Sequence, residues 1–144
     1  MTAGSGFLLA VLWFDLMFDV QVLRRTEPRE PALESIAAYY RRVTTAARPM
    51  NRLVAIVMLA TIAAIVAQIA RGDGPGWTGW TSLVLACSAI GLAAAHTVPS
   101  AVRLGARSDS VADQQVLARS ILRDHLLCLG AIAAVLVIQL ASAS

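Results

Sequence analysis

Lysine is absent from this 144-residue chain, and all twelve of its basic residues are arginine. Charge of either sign is scarce: charged residues make up 15% of the chain, hydrophobic ones 58%, and mean hydropathy is +0.68. That balance excludes an ordinary soluble domain and points to an integral membrane protein. Two cysteines, Cys87 and Cys128, both fall in apolar stretches. They make no disulfide framework and read as small buried hydrophobes. No His-x-x-x-His or Cys-x-x-Cys pair is present, so no local metal motif exists. Gly72, Gly74 and Gly76 mark a turn without the lysine of a phosphate loop. No Ser–His–Asp arrangement can be argued. The N-terminus lacks a basic n-region and carries aspartates in its apolar run, so the first hydrophobic stretch reads as a retained span rather than a cleaved signal. The pI near 9.5 does not indicate nucleic acid as a partner, because the arginines flank apolar segments, where membrane orientation puts them.

What is present is a run of four apolar segments. About four spans of ~20 residues fit in a chain of this length, with no room for a separate soluble domain. They fall near residues 4–23, 53–70, 77–98 and 122–140. The predicted fold is an all-α membrane protein, a four-transmembrane-helix bundle with cytoplasmic extensions of helices 2 and 4. The first connection, Thr26-Glu27-Pro28-Arg29-Glu30-Pro31, follows Arg24-Arg25 and is broken by proline. Pro31 suits the first turn of a helix over Ala32–Arg48, outside the hydrocarbon, with Tyr39, Tyr40, Arg41 and Arg42 at headgroup level. Pro49 should kink or restart that helix. Trp77 and Trp80 mark an interface, and Pro99 is expected to close the third span. Ser110 or Ser108 suits the cap of a long last helix, with Asp113 in its first turn.

Orientation follows from arginine. The first and third connections with their flanks hold seven and four arginines, and the second holds only Arg71. The positive-inside rule places the arginine-rich connections in the cytoplasm and both termini outside. The Ala- and Arg-rich composition suggests a high-GC bacterium, and hence its inner membrane.

The polar residues inside the spans carry the functional reading. Asp15 and Asp19 lie four apart in the first span and share a helix face. A carboxylate at a span centre costs roughly 2.5–3.5 kcal/mol, so such groups persist where they meet a partner. His96 ends the third span and Asp124-His125 opens the fourth. Asn51 guards the same end of the second. All therefore fall in the cytoplasmic leaflet, and the opposite leaflet offers little beyond Gln68. Leu117, Ile121, Asp124, His125 and Cys128 line one face of the last helix, with Arg119 and Arg123 on another. Two histidines with two or three carboxylates suit iron, copper or zinc, so His96, His125, Asp19, Asp15 and Asp124 form a candidate ligand set. Histidines on facing helices would also suit haem.

The layout resembles the anthrone-oxygenase-like group of small four-helix bacterial membrane proteins. The resemblance rests on Tyr40-Arg41-Arg42 followed by Arg48-Pro49, on His96-Thr97-Val98-Pro99, and on Arg123-Asp124-His125. Asp124 stands where relatives carry Asn, and His96 where they often carry Asn before Val-Pro. Asp15 and Asp19 lie outside that pattern. A more distant likeness in shape is to haem-binding four-helix oxidases of tetrapyrrole synthesis.

The leading expectation is a membrane oxidoreductase or oxygenase acting on a hydrophobic small molecule. His125 and His96 with Asp124 and Asp19 would supply acid–base or metal chemistry. Arg123, Arg103 and Asn51 would hold a cofactor or an acidic substrate group, with Arg107 as another candidate. The alternatives are a small proton-coupled exporter, working as a dimer, and a non-catalytic subunit of a membrane complex in which Asp15 and Asp19 meet a partner's charge.

Overall fold

A computed structural model describes residues 1–23, 30–46 and 48–143, and every regular element among them is helical. Arg24-Arg25 and the connection Thr26–Arg29 lie outside the described residues. The helices are α1 (Thr2–Asp19), α2 (Glu30–Arg41), α3 (Arg48–Arg71), α4 (Gly76–Leu92), α5 (Val98–Ala106) and α6 (Val111–Ala141). A 3₁₀ turn, Val20–Leu23, extends α1, and π-helical turns at Arg42–Ala46 and Ala93–Thr97 precede α3 and α5. Four helical stretches are long and apolar enough to cross a membrane: Thr2–Leu23, Pro49–Arg71, Gly76–Ala106 and Val111–Ala141.

The third span continues as helix past Pro99, where the sequence predicts a break, whereas at Pro49 a helix begins at Arg48. A proline inside a helix removes one N–H and crowds the carbonyl four residues back. Here each is preceded by a π turn, which opens the backbone by one residue per turn. Before Pro49, the hydroxyls of Thr44 and Thr45 donate to the carbonyls of Tyr40 and Arg41, the former at 2.7 Å. Before Pro99, Thr97 donates to the Leu92 carbonyl at 3.4 Å. Pro99 therefore does not close the third span. Helix continues to Ala106 and stops at Arg107, whose left-handed backbone (φ 52°) lets its N–H reach the Leu104 carbonyl. The last helix starts at its Ser110 cap, whose Oγ accepts from the Asp113 N–H at 3.2 Å.

α6 is the axis of the bundle. It packs along α1 and α4, and near its start against α2 and α5, while α3 lies against α1 and α4. Thirty-one residues make α6 roughly 46 Å long. That exceeds a ~30 Å hydrocarbon layer, so its first turns project beyond it. They meet α2, an amphipathic helix whose Leu33, Ile36, Ala37 and Tyr40 recur at helical spacing on its buried side. Leu33, Ile36 and Tyr40 close a core with Ala101 and Leu104 of α5 and Ala118 and Ile121 of α6. Two more clusters follow along the bundle: Leu8, Ala89, Cys128 and Ile132, then Ile65, Ala86 and Val135. Trp13, Phe14, Met17, Ile56, Leu59, Val84 and Val137 point outward, as lipid-facing positions do.

α2 and α5 touch through glycine. A Cβ on Gly105 would sit 2.9 Å from the Arg41 backbone nitrogen and 3.1 Å from its Cα. Neither can swing aside as a side chain would. Gly105→Ala is expected to destabilise the purified protein by about 1–3 kcal/mol through overpacking. Thermal unfolding in detergent reads this, with Gly91→Ala, where a Cβ meets nothing within 4 Å, as the neutral control.

Candidate functional site

Two buried carboxylates organise the polar residues at the arginine-rich end of the bundle. The first is Asp19, near the end of α1 and 1% exposed. Tyr40 of α2 donates its phenol to Asp19 Oδ1 at 2.5 Å, and His125 of α6 places Nδ1 2.6 Å from Oδ2. One carboxylate thus ties three helices together. A turn earlier on α1, Asp15 accepts from the Tyr39 phenol at 2.6 Å and lies 3.9 Å from His125 Nε2. Tyr39 stacks on Phe18, ring centroids 4.0 Å apart, and meets Tyr40 edge-on. Burial pushes both phenols well above the usual tyrosine range, and the neighbouring aspartates push the same way. Both tyrosines therefore stay protonated and act as donors.

The second carboxylate is Asp124 of α6, also 1% exposed. Its Oδ2 meets His96 Nδ1 at 2.5 Å and accepts from Thr97 Oγ1 at 3.2 Å. Both partners come from the π turn before α5, which turns these consecutive side chains toward α6. Among the described residues Oδ1 has no hydrogen-bond donor, and Arg123 Nη2 lies 3.9 Å from it.

The residues expected to form one ligand set are therefore divided. His96 belongs to Asp124, and His125 belongs to Asp19 and Asp15. Asp124 and His125 are adjacent in sequence and about 100° apart around α6, so they address different neighbours. Among the described residues, no three His, Cys, Asp or Glu side chains are grouped to hold a metal ion. Asn51 donates to the Thr44 carbonyl at 3.2 Å, bracing the π turn. Arg103 makes two 2.8 Å bonds to Asp109, across the turn between α5 and α6. Those bonds hold the Asp109 carboxyl below its ordinary range. Arg107 lies 3.7 Å from Glu34. Arg119 and Arg123 are exposed. Arg103, Arg123 and Asn51 thus do not converge on one ligand.

A further polar cluster occupies the opposite end. Gln139 Nε2 donates to Ser82 Oγ at 2.9 Å and to Gln68 Oε1 at 3.1 Å, joining α6, α4 and α3. Sequence reasoning singled out Gln68 alone. The signal for its partner was another glutamine at the matching end of the last span. A shallow depression of about 320 Å³, lined by Gln68, Asp73 and Gln139 among others, opens above it.

Fold and site together define a polytopic membrane protein whose intramembrane charges are satisfied largely within the chain. The SHR3 chaperone family model, described as ER membrane protein SH3, matches residues 2–143. The chain belongs to that family. No curated protein and no solved structure matches it. The family match overturns the resemblance to anthrone-oxygenase-like bacterial proteins, whose supporting residues were three short motifs that any four-span bundle with prolines and interfacial arginines can carry. With it go the oxidoreductase reading and the metal-binding description, and the hydrophobic small molecule finds no support. The bacterial inner membrane is corrected as well, since the family is described as one of the ER membrane. Arginine and alanine richness is a property of base composition and does not fix the compartment. The match favours the non-catalytic alternative over the oxygenase.

If Asp19 is the tie among α1, α2 and α6, Tyr40→Phe should cost about 1–3 kcal/mol, because it strips a buried carboxylate of a donor. Tyr39→Phe should cost less, its Asp15 partner being only partly buried. Paired thermal melts of the two variants check the order.

Proposed function

We propose that this chain is a non-catalytic chaperone of the ER membrane that engages other polytopic membrane proteins within the bilayer. The single observation behind this reading is the family match, which spans nearly the whole chain. The geometry supports it in two ways. The aspartates and histidines in the spans are taken up mainly by partners in the same chain, as a scaffold requires. What the bundle turns outward is apolar: α1, α3 and α4 present Trp13, Phe14, Ile56, Leu59 and Val84. In lipid, helices associate by close packing and a few interhelical hydrogen bonds, with no hydrophobic drive between them. A chaperone acting there would shield the unassembled helices of a client by lateral contact. In this reading Asp15, Asp19 and His125 hold the scaffold's shape and take no part in a reaction.

Depletion of the protein from its own cells tests this. A defined subset of polytopic membrane proteins should then accumulate as aggregates in the ER, read by quantitative proteomics of the detergent-insoluble fraction, and re-expression should restore them. An unchanged insoluble fraction would contradict the chaperone reading.

A further inference from the structure

Of the two histidines, His96 is the one that faces outward. Its side chain is 48% exposed, against 10% for His125. Asp124 fixes its Nδ1, which leaves Nε2 on the open side of the ring. Arg123 reaches toward the other oxygen of the same carboxylate, with its own side chain 72% exposed. One buried carboxylate therefore gathers two nitrogen-bearing side chains onto a single flank, where α6 meets the π turn. Arg119 stands one turn away on the same face of α6 and is exposed too.

Depth identifies what this flank meets. His96 is nineteen residues beyond Trp77, which marks the opposite interface. At ~1.5 Å per residue that is about 28 Å, close to the thickness of the hydrocarbon layer. His96 and Arg123 thus stand at headgroup level on the arginine-rich side. Arg123 and Arg119 carry positive charge, the outward Nε2 of His96 donates in the imidazolium form, and the acidic group behind them, Asp124, is buried. The matching ligand is a phosphate with further negative charge, held at a fixed depth. Arginine recognises phosphate through its planar fork of donors.

We propose that His96 and Arg123, positioned by Asp124, form a binding site for the headgroup of an anionic phospholipid, with Arg119 at its rim. The site is independent of the chaperone reading, since lipid preference and client solubility are separate measurements.

Two experiments on the full-length protein in detergent test it. In native mass spectrometry, the wild type should retain phosphatidylserine in preference to phosphatidylcholine. Arg123→Ala should reduce that preference by about fivefold, the ratio for one basic contact at a membrane surface, and His96→Ala should reduce it as well. Arg52→Ala, an exposed arginine on α3, should leave it unchanged. The second experiment needs no substitution. Diethyl pyrocarbonate should modify exposed His96 faster than buried His125, and phosphatidylserine mixed micelles should slow the reaction at His96. Phosphatidylcholine micelles or equimolar inorganic phosphate should not. Equal protection by phosphatidylcholine would show mere lipid coverage, and equal protection by inorganic phosphate would show a free-anion site. Either result, or an unaltered preference in both variants, overturns the proposal.

Discussion

The carboxylate of Asp19 is the constraint on which the rest of this bundle depends. It lies within an apolar span, where an unpaired charge is intolerable, and it is buried from both lipid and water. Its two oxygens are each taken by a different helix, Tyr40 from α2 and His125 from α6. Breaking such a buried pair typically costs about 3–5 kcal/mol, because the remaining partner is stranded. The polar tie therefore specifies where α2 folds back against the bundle. The apolar contacts of Leu33 and Ile36 with Leu104 and Ile121 then fill the space that this placement defines.

A second constraint comes from proline. Pro49 and Pro99 sit at corresponding places, each just after a π turn at the arginine-rich end. At both, a threonine hydroxyl supplies a donor to a carbonyl that the opened turn has loosened. The π turn before Pro99 also presents His96 and Thr97 to Asp124. The backbone irregularity that admits the proline thus also builds the second polar contact. At the other end of the bundle, uncharged Gln68, Ser82 and Gln139 do the same work more cheaply, since amides in lipid carry no ionic desolvation penalty.

Much of this was legible in the sequence. Hydropathy alone defines four spans, and Asp19, Asp124 and the two histidines were expected at one end of the bundle, where they lie. What could not be read was how they divide. A step of about 100° between Asp124 and His125 sends them to different neighbours, and only the rotation of α6 decides which. Sequence position beside Tyr39, Arg41 and Arg42 puts Tyr40 in a headgroup belt, whereas its phenol is buried on Asp19. Its place on the apolar stripe of Leu33, Ile36 and Ala37 was the available signal. The continuation of helix past Pro99 was hidden because the π turn that permits it has no sequence signature of its own. Function was least legible. Aspartate and histidine suit metal chemistry and structural pairing equally well in composition, and here geometry pairs them.

A double-mutant cycle on Asp19 and His125 tests most directly whether this pair is the structural tie of the bundle. The free energies of unfolding of Asp19→Ala, His125→Ala and the double variant would be measured in one detergent. The account predicts strong coupling, about 1–3 kcal/mol, with the double variant destabilised by clearly less than the sum of the two single ones. Additive losses, to within about 0.5 kcal/mol, would show that the two residues act separately and would contradict it.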